Sequence, residues 1–269
     1  MVKLTSNTDY CDSNHSYSNE SLQHIGYRFR YFNDSHIHLG DSIGVGRSIT
    51  IADILEYKYA FSIMHVLVID DNLERLQEFI NKDVYGLHGL NWVNDDNVGS
   101  GLTLNDKIIG CKFHGAYSNY SRPSIAVLDL LDKLGLVLLM HTGRYKDGNE
   151  ASKTSYIHAL NIAKEYKNIK VIMAHMGGTD TEICKKAIAA SKQYSNIYFD
   201  TSGITTPYII EYAVKQIPST RIMFGSDIPW CSWRAMYNTV MDARISNHDM
   251  DNILQRSFQN LANECRENI

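Results

Sequence analysis

A single eight-stranded parallel β/α barrel is the fold this sequence predicts, and three observations predict it. Short apolar runs alternate with amphipathic segments along most of the chain. Eight of those runs fit strands in a chain of 269 residues, the size such a barrel needs. Several runs close on histidine or aspartate, so polar residues from distant parts of the chain are aimed at one rim.

In order along the chain, residues 1–24 are rich in Ser, Asn and Asp without periodicity and read as a polar lead-in, mobile or loosely packed, before a barrel domain over 25–269. Strands are expected in the later part of 27–38 and over 61–69, 84–92, 107–115, 135–141, 169–175, 196–202 and 221–227. They are short and rich in β-branched or aromatic residues, and most run into Gly or a polar turn. Between them, Ile51, Ile54 and Leu55 mark one helix, and Leu73, Leu76, Phe79 and Ile80 a second. A third opens near Pro123 and closes on Gly135. Further helical patterns cover 152–167, 179–195, 206–218 and 233–246, with a final helix from about Asp249. An open doubly wound sheet would need a Gly-rich dinucleotide turn; "GVGRS" (44–48) lacks the third glycine and follows a histidine pair.

Composition narrows the function classes. The chain is 44% hydrophobic and 21% charged, enough apolar mass for a full core. Its net charge of −4 and the absence of any basic run longer than two residues argue against a nucleic-acid partner. The longest apolar run, Leu136–Met140, is too short to span a bilayer. The opening "MVKLTSNTDYCDSNHSYSN" has no apolar stretch of the kind a secretory signal needs. Cys11, Cys111, Cys184, Cys231 and Cys265 are scattered, which argues against a disulfide framework and a cysteine zinc site; a cytoplasmic setting is expected.

The segment "DSHIHLG" (34–40) poses the functional question. On a strand, alternation places His36 and His38 on one face about 7 Å apart, an arrangement suited to a metal. A metal site takes at least three ligands. Other strand ends offer Lys112 and His114, then His141, His175 and Asp227. Singly, each histidine has an ordinary reading as a hydrogen-bonded residue, and Asp227, before Ile-Pro, as a turn residue. Together they favour a site. Mid-strand His65 and His88 read as packing or pocket residues, and His158 as a structural helix residue.

Taken in order, "DSHIHLG", "GCKFHG", "VLLMHTG", "VIMAHMGG", "NIYFDTSG" and "IMFGSDIPW" resemble the amidohydrolase superfamily over roughly residues 32–265. The similarity is greatest to its amidohydrolase-2 branch, which includes aminocarboxymuconate-semialdehyde decarboxylase-like enzymes. The resemblance implies that His36, His38, His141 and Asp227 bind one divalent metal and that His175 works as acid/base beside the metal's water. It also admits a second metal, with a carboxylated Lys112 as bridge and His141 and His175 as ligands, although one metal is favoured because the Lys of this motif commonly faces substrate. Gly115 stands where the family's strand-4 motif usually has proline, which loosens the expected loop but keeps Lys112 and His114.

Such a ligand set suits Zn²⁺ first, with Mn²⁺, Fe²⁺ or Co²⁺ able to use the same donors. The metal would bring a water's pKa toward about 7, Asp227 would accept its proton and His175 would pass it on. Lys112 and His114 share a face from which Lys112 can pair with a substrate carboxylate. Asp34 is placed either to orient a ligand ring or to serve as a turn residue where the first strand begins. Two loops are expected over the site: 142–156, bringing Arg144, Tyr145 and Lys146, and 228–236, bringing Trp230, Trp233 and Arg234, with the tryptophans alternatively plugging the barrel end. Arg144, Trp230 and Arg234, with His114, are the candidate contacts to a small, partly planar anionic substrate. The expected activity is hydrolysis of a C–N or C–O bond in an amide, lactone or ester, with non-oxidative decarboxylation as its rival and a non-catalytic barrel third. Leu254, Phe258 and Leu261 offer a homodimer interface or, more ordinarily, packing on the barrel itself.

Overall fold

Eight strands, all parallel and hydrogen-bonded to their neighbours in chain order, make one sheet in the computed structural model, which describes residues 30–42, 46–93, 107–143 and 155–269. The chain divides into the units Met1–Arg30 and Tyr31–Ile269, and the fold is that of the second. The lead-in expected over 1–24 lies outside the described residues. The strands are β1 (Asp34–His38), β2 (Val66–Asp70), β3 (Leu87–Val93), β4 (Ile108–Phe113), β5 (Val137–Met140), β6 (Lys170–Met173), β7 (Ile197–Asp200) and β8 (Ile222–Met223). A short antiparallel ribbon, Gly40–Ser42 with Arg47–Ile49, follows β1. Helices α1 (Ile51–Ala60), α2 (Leu73–Ile80), α3 (Ile125–Leu134), α4 (Tyr156–Glu165), α5 (Thr181–Ala190), α6 (Pro207–Gln216) and α7 (Trp233–Met241) fall where the sequence periodicity expects them. Among the described residues, no helix is long and apolar enough to cross a membrane.

The sequence explains the layers. A parallel strand covered on both faces must be apolar at successive positions, and β5 buries Val137, Leu138, Leu139 and Met140 completely. Helix α2 turns Leu76, Phe79 and Ile80 to the sheet, each fully buried and contributing roughly 1.5–3 kcal/mol. Ser124 caps the start of α3, and Gly135 ends it at φ +61°, a left-handed turn that only glycine makes without strain.

The barrel closes between β1 and β8. Ile37 bridges to Ile228, and backbone bonds run from Ser35 N to Phe224 O (2.9 Å), Asp227 N to His36 O (2.8 Å) and His38 N to Ile228 O (2.9 Å). At the bottom of this seam, the C-terminal helix, α8 (Asn247–Asp251) and α9 (Ser257–Glu267), is interrupted by a π-turn over Asn252–Arg256. The carbonyls of Ile253 and Leu254 in this turn accept from Phe224 N (2.8 Å), just after β8, and Asn33 N (2.7 Å), just before β1, so the irregular turn ties the two seam strands together. Leu254, Phe258 and Leu261 are buried within this chain.

Candidate active site

β1 carries His36 and His38 on one face, and their Nε2 atoms face each other at 3.2 Å. Asp227 reaches the same point from beyond β8: its Oδ1 lies 3.2 Å from His38 Nε2 and 3.4 Å from His36 Nε2. These three donors are, among the described residues, the one group within 4.8 Å that could hold a metal ion. Lys112 on β4 sends its Nζ to 3.4 Å from His36 Nε2. His141, just past β5, and His175, past β6, pair with each other instead, Nδ1 to Nε2 at 3.1 Å.

The sequence places the site residues on strand ends, but two of them lie beyond the ladder. β6 stops at Met173, and His175 sits in a tight turn at φ +57°; β8 stops at Met223, and Asp227 follows four residues later at φ +59°. Two ring- or carboxylate-bearing residues in the left-handed region store strain that the surrounding packing must hold, a common property of functional sites. A strand direction would carry these side chains to a sheet face; the turn aims them across the barrel mouth. Packing is close enough that a Cβ on Gly225 would lie 3.0 Å from that of His36 and 3.3 Å from that of Asp200.

Electrostatics favour neutral His36 and His141 rings beside an ionised Asp227. Burial, helped by Lys112 and opposed by Asp200 and Asp227, lowers His36 to about 4, so it is neutral with a free lone pair near pH 7. Burial and the neighbouring His114 and His175 hold His141 well below the ordinary histidine range. Burial lowers Lys112 to about 8 against the pull of Asp227 and Asp200. Burial raises Asp227, but His36, His38 and His175 outweigh it and keep the carboxyl well below its usual range. Neutral imidazoles and a carboxylate are the donors a divalent ion prefers. His141 Nε2 is buried without a hydrogen-bond partner, a further orphaned donor at the same rim. The residues therefore fit a metal.

Residues that the sequence did not single out surround these. Asp200, the last residue of β7, takes His36 Nδ1 on one oxygen at 2.8 Å and His175 N on the other at 3.0 Å. Ser202 Oγ donates to Asp200 and lies 2.9 Å from His175 Nδ1. The signal was an aspartate closing an apolar run in "NIYFDTSG", like the other strand ends. Asp34 does not orient a ring: its Oδ1 accepts from the backbone N–H groups of His36 (3.1 Å) and Ser226 (2.9 Å), and its Oδ2 from Tyr57 Oη (3.0 Å).

His114 stacks on His141 with centroids 3.9 Å apart, and its Nδ1 accepts from Ala116 N at 3.1 Å. Trp92 lies parallel to His114 at 6.0 Å and tilted against His38 at 5.8 Å, a wall that sequence reading missed. Of the loop residues, Trp230 is exposed, whereas Trp233 packs on Phe61 (4.1 Å) and Phe32 (6.0 Å) with Arg234 over its ring. Trp233 therefore packs against the end of α1 and the chain before β1. Arg144, Tyr145 and Lys146 lie outside the described residues. His65 and His88 are not mid-strand: they stand at the opposite, N-terminal ends of β2 and β3, bonded to each other at 3.1 Å.

Comparison with known families decides the classification. The amidohydrolase family model (Amidohydro_2) matches residues 105–255, more than half of the chain. The chain belongs to the amidohydrolase family. The match includes Lys112, His141, His175 and Asp227, while the His36–His38 pair lies before it. No curated protein matches the chain by sequence. Among solved structures, this amidohydrolase chain is similar in fold to a 2,6-dihydroxybenzoate decarboxylase complexed with 2,6-dihydroxybenzoate (TM-score 0.67, 14% identity, covering 87% of this chain and 99% of that one). A dihydroxybenzoic acid decarboxylase from Polaromonas sp. JS666, with bound manganese and the inhibitor 2-nitroresorcinol, aligns at TM-score 0.64 and 16% identity over 88% and 99% of the two chains. An amidohydrolase from Burkholderia multivorans with bound zinc aligns at 0.65 and 13% over 87% and 99%.

Proposed function

We propose that this chain is a metal-dependent hydrolase that adds water across a C–N or C–O bond of a small anionic substrate, an amide, lactone or ester. One observation carries the reading: His36, His38 and Asp227 converge within 4.8 Å beside the unpartnered Nε2 of His141. His36, His38, Asp227 and His141 would hold one divalent ion, with Zn²⁺ the first choice and Mn²⁺, Fe²⁺ or Co²⁺ alternatives; zinc and manganese occur in two of the structural neighbours. When bound, the ion makes water acidic enough to ionise near neutral pH and polarises a substrate oxygen.

The chain's own groups do the rest. Asp227, held ionised among histidines, accepts a proton from the attacking water. His175, whose Nε2 rests on His141 Nδ1 at 3.1 Å, carries that proton to the leaving atom once its Nε2 exchanges that contact for the substrate. Lys112, buried and cationic at neutral pH, pairs with a substrate carboxylate, and the Trp92–His114 wall takes its flat side. The partner is a small molecule rather than a nucleic acid or membrane, and the setting is cytoplasmic.

A second reading, non-oxidative decarboxylation, is favoured by the decarboxylases among the neighbours. The same residues would then protonate the carbon that loses CO₂. The two readings separate by isotope. Protein purified without chelator is incubated with panels of lactones, amides and aromatic carboxylic acids in H₂¹⁸O and, separately, in D₂O. Incorporation of ¹⁸O into product without CO₂ release supports hydrolysis. Release of CO₂ with deuterium on the vacated carbon overturns it in favour of decarboxylation. Metal content near one equivalent supports the single ion; about two would make Lys112 a carboxylated bridge.

A further inference from the structure

We propose that Asp200 is the positioning residue of this centre: through both carboxylate oxygens and Ser202, it decides which ring nitrogens of His36, His175 and His141 carry protons and which offer lone pairs. The inference rests on the metal-centre reading above for its purpose, not for its geometry.

The carboxylate accepts and cannot donate once ionised. Two backbone N–H groups, those of His175 and Ser202, point at Asp200 Oδ1 and favour its ionised form. His36 Nδ1, 2.8 Å from Oδ2, must therefore carry the ring proton. That leaves the Nε2 lone pair facing His38, Asp227 and the Lys112 ammonium.

Oδ1 serves the other side. It receives His175 N (3.0 Å), Ser202 N (3.1 Å) and the Ser202 hydroxyl. With its hydrogen committed there, Ser202 Oγ can only accept, from His175 Nδ1 at 2.9 Å and from His36 Nδ1 at 3.2 Å, and the Ser202 carbonyl likewise accepts from His175 Nδ1 at 3.0 Å. His175 is thus protonated on Nδ1, and its Nε2 lone pair takes the Nδ1–H of His141 at 3.1 Å. The last consequence is the bare, buried lone pair on His141 Nε2. One carboxylate orders a chain of four side chains that ends on two metal-donor atoms.

An Asp200 that merely satisfied buried donors would be replaceable by asparagine. A carboxamide that keeps its oxygen toward Ser202 turns an N–H₂ donor toward His36 Nδ1, which forces the ring proton onto Nε2. In serine proteases the same carboxylate-to-amide change preserves geometry and costs about 10⁴ in kcat through the wrong tautomer.

The test uses the full chain, ¹⁵N-labelled and stripped of metal. Long-range ¹H–¹⁵N spectra of the imidazoles read the tautomers, with His36→Gln and His175→Gln spectra for assignment, and Co²⁺ alone is the metal probe. Expected results are Nδ1–H forms of His36 and His175 in the wild type, an Nε2–H form of His36 in Asp200→Asn, and about 10–100-fold weaker Co²⁺ binding in that variant. Ser202→Ala keeps the Asp200–His36 bond, so the His36 tautomer should not change. A wild-type His36 protonated on Nε2 overturns the proposal even if Asp200→Asn fails to fold. So does a folded Asp200→Asn protein with unchanged tautomer and Co²⁺ affinity. A wild type with the expected tautomers that takes up no Co²⁺ overturns the metal reading and supports this one.

Discussion

Asp34 Oδ1 accepts the backbone N–H of Ser226 at 2.9 Å across the seam where the barrel closes. The same oxygen takes His36 N, so one buried carboxylate pins the strand that carries the histidine pair to the loop that carries Asp227. This staple matters because β8 has only two residues and little ladder of its own.

Replacing Asp34 by alanine would leave two buried N–H groups and the Tyr57 hydroxyl without their acceptor. At 1–3 kcal/mol for each stranded group, less what is regained by not burying a carboxylate, a loss of about 2–4 kcal/mol is expected. Urea denaturation of wild type and Asp34→Ala measures it; a difference below about 0.5 kcal/mol would mean the seam holds without the staple.

His38→Ala removes one of three converging donors while leaving the core intact. Metal recovered with the purified protein should fall to a small fraction of the wild-type content by elemental analysis. The metal-dependent rise in Tm should vanish with it, since an ion that binds only the folded state stabilises by mass action. Equal metal content in both proteins would place the ion elsewhere.

His175→Ala should separate proton transfer from metal binding. Its ring lies outside the three-donor group but orients His141, so metal affinity should weaken about 10–100-fold while kcat at saturating metal drops about 10²–10⁴-fold. Steady-state kinetics on whichever substrate class the isotope screen yields reads this. An unchanged kcat would remove His175 from the acid/base role.

Away from the rim, His65 and His88 set an acid limit on stability. Burial first, then Lys58 and Arg266, lower His65 to about 4; burial, His65, Arg266, Lys58 and Lys107 lower His88 to about 3. Between those values and 6.5 the unfolded chain binds more protons than the folded one, so stability should fall as pH drops through 6.5 toward 4. Urea midpoints at pH 7, 6, 5 and 4 measure the slope, and it should flatten in His65→Phe. An identical slope in that variant would assign the acid sensitivity to other groups.

How much was legible follows from the range of each interaction. Strand β5 and helix α2 could be read directly, because an apolar run and a 3.6-residue period are local consequences of being covered on both faces or on one. His36 and His38 were legible for the same reason: alternation along one strand is local. The strand ends were not. His175 and Asp227 were expected on strands and lie past them, because leaving the ladder depends on what the chain packs against next. The loop 228–236 shows the same limit. Its composition could not choose between covering the site and plugging the barrel, and Trp233 packs on Phe32 and Phe61, which meet it from segments 172 or more residues earlier.

By itself, the sequence determined the alternation of strands and helices, the residue types that can bind a metal, and their order around the barrel. Tertiary structure alone decided which of those residues meet. It brought Asp227 onto the histidine pair, turned His141 toward His175, and set Asp200 between His36 and His175, 164 positions from the first. The physical reason is that hydrogen bonds act over about 3 Å of space whatever the separation along the chain. Ring tautomers and lone-pair directions follow from those contacts, so they come into being only once the barrel has closed.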